Sequence, residues 1–172
     1  NMHMSDLKIL IFPDPKLRKV AKKIDKFDKS LEILSQNMLK TMYEAEGIGL
    51  AATQIDVHIR LVVMDLSEER NEPQVFVNPE YTILDKSPFT YEEGCLSIPG
   101  FNEEISRPSQ ILLKWQDLQG NFHEDRPDGI FTVCAQHEID HLDGKRFVDS
   151  LSSLKRTRIK DKLQKEQKLV SS

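Results

Sequence analysis

The segment 137–141 reads His-Glu-Ile-Asp-His and lies within an apolar stretch, residues 129–142, that predicts a buried helix. Positions i and i+4 lie on one face of a helix, so the imidazoles of His137 and His141 can reach one metal ion. Glu138 lies beside them and can exchange protons with water at that metal without being a ligand. Two surface histidines with a solvated glutamate are the alternative, which the apolar helix disfavours. The pattern therefore predicts a catalytic metal site at the centre of the fold.

The other segments favour an α+β fold around that helix. Apolar residues recur at helical spacing over 30–46, and β-branched and aromatic residues predict strands at 57–65 and 75–84. A hairpin is predicted over 109–117 and 121–124. Strands followed by a helix that carries the chemistry favour antiparallel strands packed around a central metal-binding helix, with a polar C-terminal helix.

The length of 172 residues suffices for one domain with a substantial core, and no repeat or low-complexity linker divides it. We expect a single catalytic domain over residues 4–150 and a basic helix and tail over 151–172. Residues 1–3 are interpreted as a cloning remnant ahead of a natural start at Met4. The chain shows neither an apolar run of about 20 residues nor a signal peptide, so a cytoplasmic protein is expected.

Two histidines need at least one more protein ligand to hold a metal. The usual zinc-protease solutions fail downstream, because Phe147 stands where a metzincin has its third histidine and the only later glutamate, Glu166, lies in the basic tail. The third ligand is therefore expected upstream. The candidates there are His58, Cys95, His123 and Cys134.

The two cysteines differ in how well they can reach the metal. Cys134 shares a helical face with His137, but it lies about 10 Å along the axis from His141. Its side chain also tilts toward the helix N-terminus, away from the metal. Cys95 follows a glycine, which lets the backbone approach the site. We therefore predict Cys95, His137 and His141 as ligands, with an open fourth position typical of catalytic sites.

Three separate motifs carry a resemblance to a known family. They read Gly-Ile-Gly-Leu-Ala-Ala-Thr-Gln over 47–54, Glu-Gly-Cys-Leu-Ser over 93–97 and Gln-His-Glu-Ile-Asp-His over 136–141. In this order they resemble the motifs of bacterial-type peptide deformylases, and the likeness extends from Ile9 to Gly144. The resemblance implies a hydrolase that removes the formyl group from the N-formylmethionyl end of nascent peptides and releases formate.

The resemblance also implies roles for individual residues. Cys95, His137 and His141 would bind one divalent metal ion, Fe²⁺ in the first place, with Zn²⁺, Ni²⁺ or Co²⁺ able to occupy the site. Glu138 would take a proton from the attacking water and return it to the leaving amine.

Four further residues would act on the substrate. The side-chain amide of Gln54 and the backbone N–H of Leu96 would stabilise the oxyanion. The backbone at Ile48 and Gly49 would pair with an extended peptide, which makes binding independent of downstream side chains.

Other features leave alternatives open. Val133 and Cys134 would line the methionine pocket, although ordinary core packing explains each of them equally well. Asn102 stands where many relatives have an arginine. The metal motif alone is also compatible with a metalloendopeptidase, or with a non-catalytic metal protein whose coordination Cys134 or another group closes. An inert binding relative is disfavoured because Glu138 is intact.

The segment from residue 151 onward carries seven basic and two acidic residues, a net charge of +5; because the whole chain is −4, the rest is −9. Leu154, Ile159 and Leu163 form a thin apolar stripe for docking, which leaves the basic residues to solvent or a partner. Ribosome surfaces are dense in phosphate, so we expect a weak, salt-sensitive ribosome contact through this helix. A solvated face is the alternative; neither a membrane nor specific DNA is expected as a partner.

Overall fold

The computed structural model describes residues 7–171, so the interpretation of residues 1–3 as a remnant lies outside the described residues. Within that range the α-helices are α1 (Lys29–Glu44), α2 (Gly129–Leu142) and α3 (Ser153–Ser171). The strands are β1 (Gly49–Ala51), β2 (Leu61–Met64), β3 (Gln74–Gly94), β4 (Asn102–Gln116) and β5 (Phe122–Asp125). Short 3-10 helices lie at Pro15–Arg18, Ala52–Ile55 and Phe147–Ser150.

The five strands form one antiparallel sheet in the order β1-β2-β3-β4-β5. β1 lies at one edge, where Gly49 is opposite Met64 of β2. β3 and β4 form a long hairpin, and Gly94 pairs with Asn102 next to the loop that connects the two strands. The strand predicted at 57–65 is shortened to β2, because the chain is irregular before Leu61, where Ile59 forms an isolated bridge with Lys22 and Arg60 lies in a bend. The predicted α+β class with antiparallel strands is confirmed.

α2 is the central helix, because ten of its 14 residues are buried. Its apolar side chains pack against the sheet, where Ala135, Ile139 and Leu142 join Val62 and Phe76 in one cluster. Each such buried side chain stabilises the fold by about 1.5–3 kcal/mol relative to an exposed one. The core therefore surrounds the helix that carries the histidines, as predicted for residues 129–142.

α1 supports the strand that borders the site. The side chain of Asp28 caps the helix by accepting the N–H of Leu31 at 3.2 Å. Leu31, Met38 and Met42 recur at helical spacing and pack against Val63 of β2 and the neighbouring β1. The helix lies within two residues of the predicted 30–46 at each end.

β3 and β4 extend well beyond the predicted segments. The strand predicted at 75–84 continues to Gly94, and the strand predicted at 109–117 begins at Asn102. Most side chains in the added parts are exposed or half-buried. With neither face consistently buried, hydrophobic residues do not alternate there, and the pattern that indicates a strand is missing.

Two side chains of α3 are buried against the body among the described residues. Ile159 and Leu163 are buried in a cluster with Phe12 and Leu17. Leu154 is 66% exposed, so the prediction that it joins the docking stripe is wrong. The spacing of five residues from Leu154 to Ile159 turns a helix by about 140° beyond one full turn, so the two side chains lie on different faces. No helix among the described residues is long and apolar enough to span a bilayer.

Candidate metal centre and catalytic site

Three side chains from two parts of the fold converge on one point. His137 and His141 lie one turn apart on α2, and Cys95 directly follows β3. Their ligating atoms all lie within 4.8 Å of one another. Sγ of Cys95 is 3.3 Å from Nε2 of His141, which is 3.2 Å from Nε2 of His137. The structure therefore brings together the three residues predicted as metal ligands.

This donor set fits one divalent ion. Around a tetrahedral ion with bonds of about 2.0–2.3 Å, neighbouring nitrogen and sulfur ligands lie about 3.3–3.6 Å apart, close to the spacing observed. Nδ1 of His137 lies 2.9 Å from a carboxylate oxygen of Glu93, which places the N–H there and leaves Nε2 with its lone pair. Burial and the charge of His137 hold the pKa of His141 well below its ordinary value, so that ring is neutral and able to ligate.

The groups around His137 stabilise a positive charge on its ring. Burial lowers the pKa of His137, but the charge of Glu138 and hydrogen bonds with Cys95 and Glu93 outweigh it and raise the pKa well above the ordinary value. The same groups stabilise a metal cation in place of that proton. Cys134 differs, because burial raises the pKa of its thiol and its neighbours form an apolar cluster. Cys134 is also not among the three residues whose ligating atoms converge.

A buried chain of ion pairs begins at Nδ1 of His137, which is hydrogen-bonded to Glu93. Glu93 accepts two hydrogen bonds from the guanidinium of Arg107, at 2.6 and 2.9 Å. Arg107 also donates to Asp140 at 3.0 Å, and Asp140 accepts the hydroxyl of Tyr81 at 2.8 Å. Burial raises the pKa of Glu93, but its bonds to His137 and Arg107 outweigh this and lower it, so Glu93 is a carboxylate. Sequence reasoning missed the chain because only the packing of α2 against the β3–β4 hairpin joins its members.

Glu138 lines the same groove as Cys95. Its Oε1 atom is buried and has no hydrogen-bond partner among the described residues. Its Oε2 atom lies against Gly49, where an added Cβ would come within 2.6 Å of it. Burial raises the pKa of Glu138 to about 7, so the group can both accept and release a proton near neutrality. A buried oxygen of this kind is suited to a proton-donating ligand in the groove.

Gln54 and Leu96 both border the metal ligands. Oε1 of Gln54 accepts a backbone N–H at 2.9 Å, while Nε2 lies 3.1 Å from Oγ of Ser97 and 3.5 Å from Sγ of Cys95. Leu96 directly follows Cys95, and its side chain covers Gly47 so closely that a Cβ there would lie 2.6 Å away. The amide of Gln54 is therefore fixed with its donor end toward the site.

Two concavities meet at the site. The larger is a groove of about 400 Å³ bordered by Ile48, Gly49, Leu96 and Asn102. The residues predicted to pair with substrate thus border this groove, as does Asn102, which pairs with Gly94 next to the loop that joins β3 and β4. A groove with the backbone of residues 47–49 in its lining suits an extended chain.

The smaller concavity is a cavity of about 60 Å³ beside His137, and its apolar lining is Ile48, Tyr91, Ile130, Val133 and Cys134. Val133 and Cys134 were predicted here, whereas Tyr91 and Ile130 were missed. Ile130 could have been found, because it lies three and four residues before that pair on the same helical face. Tyr91 gave no signal, because it lies in the part of β3 that was not predicted.

Known proteins are similar to this chain in sequence and in fold. The profile of the polypeptide deformylase family matches residues 6–157. A peptide deformylase of Hahella chejuensis is 53% identical over 166 residues, covering 96% of this chain and 99% of that protein. One of Stutzerimonas stutzeri is 56% identical over 162 residues, covering 94% and 96%. A crystal structure of a peptide deformylase from Legionella pneumophila superimposes with a TM-score of 0.88 at 44% identity, covering 95% and 96%.

The chain belongs to the polypeptide deformylase family. The predicted resemblance is thereby confirmed across nearly the whole chain, and with it the expectation of a hydrolase that acts on the formyl group of nascent peptides. The family is metal-dependent, and the cluster of Cys95, His137 and His141 gives this chain a site for the ion.

Proposed function

We propose that this chain hydrolyses the N-formyl amide of nascent peptides with one divalent ion held by Cys95, His137 and His141. The observation that carries the proposal is the convergence of these three ligating atoms, within 4.8 Å of one another, beside the buried carboxylate of Glu138. When bound, the ion supplies Lewis-acid activation of water and of the formyl carbonyl.

Glu138 moves the proton between the reacting groups. With a pKa of about 7, its carboxylate accepts a proton from the water that attacks the formyl carbon. The resulting carboxylic acid then returns this proton to the methionine nitrogen as the C–N bond breaks. Formate and a free amino terminus are the products, and Glu138 is regenerated as a carboxylate.

Gln54 and Leu96 would stabilise the negative charge that develops on the formyl oxygen. Nε2 of Gln54, fixed near Cys95, has a second N–H besides the one directed at Ser97. The backbone N–H of Leu96 would be the second donor. One donor of this kind contributes about 10²–10³ to kcat in other acyl-transfer sites.

Substrate binding would use both concavities. β1 is the edge strand of the sheet, so the backbone at Ile48 and Gly49 can pair with an extended peptide beyond the methionine. The methionine side chain would enter the cavity beside Val133 and Cys134, where its flexible thioether can fit an irregular apolar lining.

The ligand assignment is tested by a matched pair of cysteine variants. Cys95→Ser should lose most bound metal and formate release, because a hydroxyl is a poor ligand for a soft site. Cys134→Ser should keep metal stoichiometry and change mainly KM. Metal analysis after anaerobic purification and a formate-release assay measure both quantities. Metal content that follows Cys134 would contradict the assignment, and cleavage of internal peptide bonds with formylated peptides untouched would indicate a metalloendopeptidase.

We further propose Fe²⁺ as the working metal, with Zn²⁺, Ni²⁺ or Co²⁺ able to replace it. A thiolate with two imidazoles suits all of these ions. Iron beside a thiolate is sensitive to oxygen, so formate release should decay faster in air than under nitrogen, and a nickel-loaded sample should last longer. Equal lifetimes in air and nitrogen would point to zinc.

We also propose that residues 4–150 carry catalysis and that 151–172 add a weak ribosome contact, in the cytoplasm where nascent chains emerge. Most basic side chains of α3 are exposed. Lys155 and Lys162 contact the body, since Lys155 pairs with Glu103 at 3.0 Å and Lys162 lies 5.6 Å above the ring of Phe101. Arg158, Lys160 and Lys165 are exposed and can meet a phosphate-rich surface.

The ribosome contact is tested without disturbing the docking of α3. Replacing Arg158, Lys160 and Lys165 with glutamine should reduce co-sedimentation with ribosomes at low salt and leave turnover of a short formyl peptide unchanged. The control replaces Lys19, Lys23 and Lys26, also exposed, for the same change in charge elsewhere. Equal co-sedimentation of the α3 variant and wild type would reduce α3 to a solvated face.

A further inference from the structure

The loop after β2 is anchored by a buried carboxylate. Asp65 is fully buried and accepts the backbone N–H and the hydroxyl of Ser67 at 2.9 and 2.6 Å. It also accepts the hydroxyl of Tyr43 at 2.5 Å and the backbone N–H of Glu72 at 3.2 Å. Four donors on one carboxylate fix the loop and the end of α1 to each other.

Arg70 extends from this anchor to the substrate groove. One guanidinium nitrogen, Nη1, donates to the backbone oxygen of Asp65 at 2.7 Å, and the other, Nη2, donates to the carbonyl of Gly47. The guanidinium lies over the ring of Tyr43, 5.2 Å from its centroid. Arg70 also has a φ of +57°, a conformation that residues with a side chain adopt only when their surroundings impose it.

The segment that Arg70 holds is confined between two groups of the site. A Cβ atom on Gly47 would lie 2.6 Å from Leu96, and one on Gly49 would lie 2.6 Å from Glu138. Between them, the carbonyl of Ile48 accepts the N–H of Asp65 at 2.9 Å. Glycines allow this fit, but they have no side chains that could secure it. The position of the segment therefore depends on backbone contacts such as the one from Arg70.

We infer that Arg70 is a positioning residue, which fixes the backbone of residues 47–49 where an extended substrate can pair with it. The inference rests on the proposed function and adds how the peptide beyond the methionine is held. Arg70 touches no reacting atom and acts through the carbonyl of Gly47. The formyl end is held by other groups, so the contribution of Arg70 grows with the number of substrate residues that pair with the segment.

The test compares two substrates, formyl-methionine amide and a formyl-Met-Ala-Ser peptide. Arg70→Ala should raise KM for the tripeptide about tenfold, the loss expected for one hydrogen bond to a charged group. KM for the amide and kcat for both substrates should change less than about threefold. Arg70→Lys keeps the charge but replaces the two separate nitrogen donors of the guanidinium with one, so it should show the same split and serves where the alanine variant fails to fold.

Two controls separate positioning from general stability. Tyr43→Phe removes a bond within the same cluster but leaves the contact between Arg70 and Gly47, and Arg126→Ala removes an exposed arginine elsewhere. Neither should change the ratio of the two KM values. Amide hydrogen exchange over residues 47–51 should accelerate in the Arg70 variants alone, a readout that does not depend on catalysis.

The outcomes are distinct. Equal loss on both substrates, or unchanged KM in both Arg70 variants, would overturn the positioning role. If wild type released formate from neither substrate, the proposed function would fail, and hydrogen exchange would still decide whether Arg70 holds the segment. In that case, amide exchange over residues 47–51 that is as slow in Arg70→Ala as in wild type would overturn the positioning role.

Discussion

The two helices α2 and α3 show opposite relations between burial and chemistry. α2 has ten buried residues among 14, and these include the polar side chains of His137, Glu138 and His141. α3 has 19 residues, but of its described side chains only Ile159 and Leu163 are buried. On α2 the core residues and the candidate site are buried together, whereas on α3 the two buried side chains are apolar and most charged side chains are exposed.

This difference predicts where substitutions act. Burying a polar group costs free energy unless it is hydrogen-bonded, and on α2 His137 obtains a partner from Glu93 and Asp140 obtains one from Arg107, both of the β3–β4 hairpin. A change on α2 or its partners should therefore alter chemistry before it alters folding. A change on α3 should alter stability or external binding, but not turnover by the folded protein.

The largest expected effect is that of Glu138→Ala. Formate release, as kcat/KM, should fall by about 10²–10⁴, because the proton no longer has a carrier between water and leaving amine. Metal content should remain that of wild type, since Glu138 is not one of the three converging ligands. Metal analysis of the purified variant checks this, and loss of metal together with activity would make Glu138 a ligand instead.

A smaller effect is expected for Glu93, whose carboxylate is hydrogen-bonded to His137. Glu93→Gln should weaken metal binding about 10–100-fold, because the amide no longer holds the N–H of His137 with a full charge and leaves Asp140 as the remaining carboxylate partner of Arg107. Competition with a chelator measures the affinity. Glu92→Gln is the control, since its side chain is exposed one residue away. Similar affinities for the two variants would show that the chain behind His137 does not support the metal.

The sequence predicted α2 and its histidines because both depend on local spacing. Residues four apart share a helix face, and among the upstream candidates the helix geometry of Cys134 and the glycine before Cys95 favoured Cys95 as the third ligand. The partners Glu93 and Arg107 could not be predicted in the same way. They are 14 residues apart in sequence and meet through the pairing of β3 with β4, in a stretch where no hydrophobic alternation marked a strand.

For α3 the sequence predicted a helix over 151–172, close to the observed Ser153–Ser171, but only part of its docking face. Ile159 and Leu163 are four residues apart and share the docking face, as expected. Leu154 was assigned to the same stripe although its spacing places it on another face. A single exposed leucine is common on protein surfaces, so hydrophobicity without the right spacing does not indicate burial.

Leu154 and Leu163 lie on the same helix but differ in burial. Leu163→Ala should lower the free energy of unfolding by about 2–5 kcal/mol, because Leu163 is 1% exposed and its removal leaves a cavity. Leu154→Ala should change it by less than about 0.5 kcal/mol. Urea unfolding measures both values. Formate release per folded molecule should be unchanged in both variants, and a fall in kcat for Leu163→Ala would show that α3 also acts on the chemistry.

The smallest effect is expected for the ion pair between Lys155 and Glu103, which joins α3 to β4 at 3.0 Å. Its lysine side chain is 58% exposed, so water and salt screen the attraction, unlike that of the buried Arg107–Glu93 pair. A double-mutant cycle with Lys155→Gln and Glu103→Gln should give a coupling energy of about 0.2–1 kcal/mol at low salt and near zero in 1 M NaCl. Apolar contacts of Ile159 and Leu163 would then carry the docking of α3. A coupling energy above about 2 kcal/mol that persists in high salt would show that this ion pair stabilises α3 as strongly as a buried pair. The contrast between α2 and α3 would then be wrong.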